Sequence, residues 1–226
     1  NELYQSGIKE VVITGIHIAD YEDETEYQGN SEKKYLDDLI EILLKDTLMP
    51  RFRISSLEPR EITDRLLDMY SDDRLCPHFH LSIQSASDLV LQKMKRRYLQ
   101  KDVLQILNRI QAKLSDAFIG MDVISGFNYE TDLEFEETYK ILTESFWTKL
   151  HVFPYSERPG TMAMKLEQTV PNSVRHQRAT RLRELSLHRY QAVALKQIGK
   201  MDKVLIFDPN KKKNTTSNLS FEEQEK

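Results

Sequence analysis

HFHLSIQSASDLVLQKMKRRYLQKDVLQILNRIQAKLSDAFIGMDVISG, residues 78–126, contains one complete unit of the architecture. From His78 to Gln84 the side chains alternate until Ser85-Ala86-Ser87 stops the pattern, the period of a strand with two unlike faces. Val103, Ile106, Leu107, Ile110 and Leu114 then recur at helical spacing and make one apolar stripe. Ala117 to Ile124 is strand-like again and ends in Ser125-Gly126-Phe127. Strand, helix, strand predicts two parallel strands joined by a crossover helix.

The same unit repeats outward in both directions. Upstream, Val11-Val12-Ile13 is an apolar run broken at Thr14-Gly15, followed by a helix on Leu36, Leu39, Ile40, Leu43 and Leu44. After Pro50, a strand spans Arg51 to Ser56, and Ile62, Leu66, Met69 and Tyr70 line the next helix. Downstream, Thr131 and Glu134 have the spacing of a capping box; the helix they open carries Phe135, Tyr139 and Leu142. A last strand, Thr148 to Phe153, is stopped by Pro154 and a Pro159-Gly160 turn. Repeated β-then-α units predict an α/β barrel or a doubly wound sheet. In a barrel the strand C-termini build the active site, and here they carry Thr14 to His17, Ser55 to Glu58, Gln84-Ser85, Asp122 to Gly126 and Tyr155 to Arg158. Beyond them a long helix is expected to bury Val174, Leu182, Leu185 and Ala192 and to expose Arg175, Arg178, Arg181 and Arg183. Val204 to Phe207 is a strand candidate, and the polar run from Asp208 reads as a disordered tail or the start of a further domain.

At 226 residues, 39% hydrophobic and 30% charged, the chain has the balance of a soluble domain. No apolar run approaches the roughly 18 residues of a membrane span, and Asn1-Glu2-Leu3-Tyr4 does not read as a secretory signal. The missing initiator methionine suggests a chain that begins partway through a longer protein. A single cysteine excludes an internal disulfide and fits a reducing cytoplasm. The formal net charge of −4 gives no global reason to expect nucleic-acid binding, so any RNA contact needs local basic patches.

Four stretches carry a resemblance: Val12 to His17 (VITGIH), Arg53 to Pro59 (RISSLEP), Cys76 to Ser85 (CPHFHLSIQS) and His151 to Thr161 (HVFPYSERPGT), with Asp122 to Phe127 (DVISGF) and Glu130-Thr131 between them. Together they resemble the radical S-adenosylmethionine tRNA methylthiotransferases, above all the branch acting on threonylcarbamoyladenosine beside the anticodon. The resemblance covers about residues 8 to 200. It implies a partial (β/α)6 TIM-like barrel that binds S-adenosylmethionine and a [4Fe–4S] cluster, in a cytoplasmic enzyme whose partner is tRNA. In that family three cysteines after the first strand hold the cluster, a second cluster lies in an N-terminal domain, and a C-terminal barrel grips RNA. The first strand here matches the family's second, so residues 1–200 are expected to be a radical SAM core lacking its first strand and cysteine loop. Residues 201–226 would be a remnant or start of the RNA-binding barrel, or a tail. One thiolate cannot replace three, so the chain is expected to be a fragment inactive alone, or a degenerate relative that binds RNA or a nucleotide.

The matching positions imply S-adenosylmethionine contacts at Thr14 and Gly15, at Ser55, at Gln84 and Ser85, at Asp122 and Gly126, at Phe153 and Tyr155, and at Arg158, with no metal ligand among them. Within the motifs, Ala86 stands where the family has glycine, Asn128-Tyr129 where it has Pro-Gly, and Ser82 where it has proline. If the missing glycine had a positive φ, Tyr129 would be strained or its loop rerouted. His78-x-His80 points both rings to one face of a strand, a pattern commoner for hydrogen-bonded histidines than for zinc. Lys93 to Arg97 reads equally as an RNA contact or as a charged loop.

Overall fold

The computed structural model describes residues 1–27, 30–201 and 204–206, apart from the side chains of 25–32. A short helix α1 (Glu2–Gln5) leads into β1 (Val11–Ile13), and β2 (Glu22–Tyr27) with β3 (Asn30–Tyr35) form a hairpin ahead of α2 (Leu36–Asp46). Then follow β4 (Phe52–Ile54), α3 (Asp64–Met69), β5 (His78–Gln84), α4 (Asp88–Lys93), α5 (Gln100–Lys113), β6 (Phe118–Ser125), α6 (Asp132–Glu144), β7 (Lys149–Pro154) and α7 (Asn172–Lys196).

β1 pairs in parallel with β4, and β5, β6 and β7 pair in parallel in that order. Leu57 joins the two groups: its N–H donates to His80 O, and Ser82 N–H donates to Leu57 O, both at 2.9 Å. The spatial order β1-β4-β5-β6-β7 never reverses, whereas a doubly wound sheet must reverse at its switch point. The chain is therefore an open arc of a TIM-like barrel, with β1 and β7 at its edges. Ser82 also explains itself here: a proline would remove the N–H that ties β5 to the end of β4.

Strand periodicity divides the sheet into two faces. Phe79, Leu81, Ile83, Ile119, Met121, Val123 and Leu150 are buried, in one cluster with Ile106, Ile110, Leu142 and Leu182 of the helices. The other face carries His78, His80, Ser82, Gln84, Asp122 and His151, all partly accessible. At α6, Thr131 Oγ1 accepts from Leu133 N–H while Glu134 accepts from Thr131 N–H, so the spacing predicted a real cap.

Three readings are corrected. Arg175 and Arg178 face inward, each 5% exposed, and Ala192 is exposed. Arg178 reaches Glu130 (2.8 Å), itself 2% exposed, and Asp132 (2.8 Å), anchoring α7 to the β6–α6 loop. The burial is compensated by charge pairing and by a bond to Glu130 O. The β2–β3 hairpin falls ahead of Leu36, in a stretch where no element was read, because EDETEY shows no apolar alternation. Val204 to Ile206 form no strand, while Lys203, Phe207 and the tail lie outside the described residues.

Candidate functional site: a cavity at the strand C-termini

The C-terminal ends of β5, β6 and β7 enclose a cavity of about 510 Å³, within the usual range for small-ligand pockets. Ile124, Phe153, Pro154 and Tyr155 supply apolar surface, and Gln84, Asp122 and Arg158 supply polar groups. Phe153 is 52% exposed on this face and packs into no core. Arg158 is exposed at the mouth. Gln84 turns at the end of β5 with φ 58, left-handed backbone that costs a non-glycine residue about 1–2 kcal/mol. Ser56 at the end of β4 does the same with φ 66. Such strain concentrates where a fold orients functional groups.

Asp122, on β6, is held from the neighbouring strand β5. Its Oδ1 accepts from His80 Nε2 (2.9 Å) and its Oδ2 from Ser82 Oγ (3.4 Å). With Nε2 as donor to the carboxylate, His80 Nδ1 accepts from Ser55 Oγ at 3.1 Å. His151 meets His80 edge-on at 5.3 Å. Burial holds the His151 pKa below its ordinary value, and burial next to Arg53 lowers that of His78 to about 4. His78 instead stacks on Phe118 at 4.9 Å.

The opposite wall is fixed by α7. Arg175 donates to Val170 O (2.8 Å), Tyr155 O (3.0 Å) and Glu157 (2.5 Å), and its guanidinium lies 5.1 Å from the Tyr155 ring centre. The Arg175 bond holds the Glu157 carboxyl down at about 2.

Of the ten positions read from the motifs, Gln84, Asp122, Phe153, Tyr155 and Arg158 line this cavity. Ser55 reaches it through His80. Ser85 is fully buried, its hydroxyl 3.2 Å from that of Thr138 on α6, away from the cavity. Gly126 has φ +73, but a Cβ there would lie 2.3 Å from Arg175 Cγ, so its missing side chain makes room for α7. Thr14 and Gly15 are exposed after β1. Sequence reasoning missed the Ser55–His80–Asp122 chain, although alternation along β5 puts His80 and Gln84 on one face. Tyr129 keeps its loop despite φ 72, with its N–H on Gln168 O and Lys93 Nζ 4.2 Å from its ring centre. Ala86 has no positive φ and so needs no glycine.

Residues 1–142 match the radical SAM superfamily. The chain belongs to that superfamily. Among curated relatives of this radical SAM chain, the threonylcarbamoyladenosine tRNA methylthiotransferase of Treponema pallidum is 34% identical over 82% of the chain and 37% of its own length. The Bacillus subtilis protein of the same name is 38% identical over 82% and 40%. A tRNA-2-methylthio-N(6)-dimethylallyladenosine synthase from Nitrosospira multiformis is 35% identical over 88% and 42%. The chain thus spans less than half the length of these relatives. Among the described residues, no helix is long and apolar enough to cross a membrane, and no group of three or more His, Cys, Asp or Glu is placed to hold a metal ion.

Proposed function

We propose that this chain is the S-adenosylmethionine-binding core of a methylthiotransferase acting on tRNA. The observation that supports it is the convergence of Gln84, Asp122, Phe153, Tyr155 and Arg158 on one cavity at the rim of a parallel barrel arc. Their chemistry suits the cofactor. Ile124, Phe153 and Tyr155 offer flat apolar surface for an adenine, Gln84 and Asp122 offer partners for hydroxyls or an ammonium, and Arg158 offers a fork for a carboxylate. Bound there, S-adenosylmethionine would supply the methyl group and the source of radical chemistry. The chain's own residues orient it: His80 and Ser82 fix Asp122, Arg175 fixes the Tyr155 wall, and Phe153 excludes water.

The residues present do not fit an iron–sulfur cluster. Cys76, the sole cysteine, is buried at the N-terminal end of β5, the end opposite the cavity, with its N–H on Phe52 O. Burial pushes its thiol pKa up, away from the thiolate that clusters require. On this reading the chain alone turns over no tRNA, and the active form draws its [4Fe–4S] ligands from cysteines outside this sequence. The finer assignment, to threonylcarbamoyladenosine beside the anticodon in the cytoplasm, rests on the motifs and on the names of the relatives. The single thiol also favours a second reading, a non-catalytic relative that keeps nucleotide or RNA binding. Reconstitution with iron and sulfide, followed by titration with S-adenosylmethionine, tests the proposal. The chain should stay colourless yet bind the nucleoside; stoichiometric cluster absorption, or no binding, would overturn it.

A further inference from the structure

A second cavity, of about 530 Å³, opens on the same rim between the segments that follow β1, β4 and β5. Its character is opposite to that of the first. Glu58, Glu61 and Asp20 line it together with Arg60, Lys95, Arg96 and Arg97. The acids are largely committed: Glu58 pairs with Arg96 at 2.8 Å, and Glu61 accepts from Glu58 N–H at 2.6 Å. The cations are only partly so. Arg60 donates to Arg97 O, Arg96 Nε is buried without a partner, and the exposed Lys95 and Arg97 have no acidic partner among the described residues. Lys95 is held in left-handed backbone, φ 56, and the loop is pinned beneath by Tyr98, whose hydroxyl donates to Ser82 O at 2.7 Å. Lys93 lies over Tyr129 of the β6–α6 loop, so one segment, 93–98, borders both halves of the rim.

Resting on the reading above, we propose that this second cavity receives the N6 substituent of the target adenosine, and that Lys95 and Arg97 recognise a carboxylate on it. A threonylcarbamoyl group carries such a carboxylate, together with urea N–H donors that Asp20 and Glu58 can accept. A dimethylallyl group is wholly apolar and would leave these charges without partners, which is how a polar site rejects an analogue lacking the matching group. The shared anion chemistry has a second source, the RNA phosphate, which the test separates.

The full chain is titrated calorimetrically with three free probes: N6-threonylcarbamoyladenosine, N6-dimethylallyladenosine and adenosine 5′-monophosphate. The first should bind at least about tenfold more tightly than the second. Exchanging both exposed cations, Lys95→Gln with Arg97→Gln, should remove most of that advantage and leave the second probe unchanged. Equal or tighter binding of the dimethylallyl compound overturns the proposal. So does no binding of either modified nucleoside, or a loss for the monophosphate as large as for the threonylcarbamoyl compound, which would mark a phosphate site. S-adenosylhomocysteine, titrated in parallel, reports the first cavity; its failure would count against the proposed function separately.

Discussion

Replacing Gly126 by alanine separates two explanations of the same residue. The motif reading puts this glycine against the cofactor, and the structure puts it against α7. At φ +73 an alanine costs about 1–2 kcal/mol. Its Cβ would also lie 2.3 Å from Arg175 Cγ and 2.9 Å from Arg175 Cβ, closer than carbon atoms approach. Arg175 cannot easily withdraw, because its guanidinium is held by Val170 O, Tyr155 O and Glu157. Overpacking of this kind adds about 1–3 kcal/mol, so Gly126→Ala should destabilise the chain by roughly 2–5 kcal/mol. Arg175→Ala removes the Cγ, so in that background the glycine substitution should cost about 1–2 kcal/mol less, a coupling that a double-mutant cycle resolves. Urea unfolding followed by circular dichroism measures all four chains. Two results would refute the reasoning: additive effects, or a Gly126→Ala chain of unchanged stability that no longer binds S-adenosylhomocysteine.

Other expectations concern neighbouring groups. His78 has a native pKa of about 4 against an ordinary 6.5, so between those values the unfolded chain takes up a proton that the native chain refuses. The stability tied to this ring is fully present above pH 6.5 and is lost as pH falls towards 4, by about 1–2 kcal/mol once its partial exposure is discounted. His78→Phe keeps the stack on Phe118 and should flatten the pH dependence of the urea midpoint in that window; an unchanged slope would contradict the assignment. Ser85→Ala should cost about 1 kcal/mol through the lost Thr138 contact while leaving S-adenosylhomocysteine affinity intact. Thr131→Ala should cost about 1 kcal/mol by uncapping α6, readable as a shift in thermal midpoint.

Strand β5 was legible residue by residue, because its alternation is that of a sheet with one packed and one accessible face. The crossover helix α5 was equally plain from its stripe. Five of the ten site positions meet at one cavity because strand C-termini in a parallel arc converge by topology, which the order of the motifs already implied. Arg175 and Arg178 escaped because arginine reads as surface until its partners are known, and Glu130 and Tyr155 are distant in sequence. The packing of Gly126 against α7 escaped for the same reason: a positive-φ glycine looks alike whether a ligand or a helix fills the space. The Ser55–His80–Asp122 chain crosses three strands whose relative register the sequence does not state.

The claim that matters most is that the β5–β7 rim is an S-adenosyl site. Calorimetric titration of the chain with S-adenosylhomocysteine, which needs no cluster to anchor it, tests that claim most directly when repeated on Phe153→Ser and Asp122→Asn. Phe153 is exposed, so its replacement spares the fold. The unaltered chain should bind saturably, and each variant at least about tenfold more weakly. No binding, or binding that both folded variants retain in full, would contradict it.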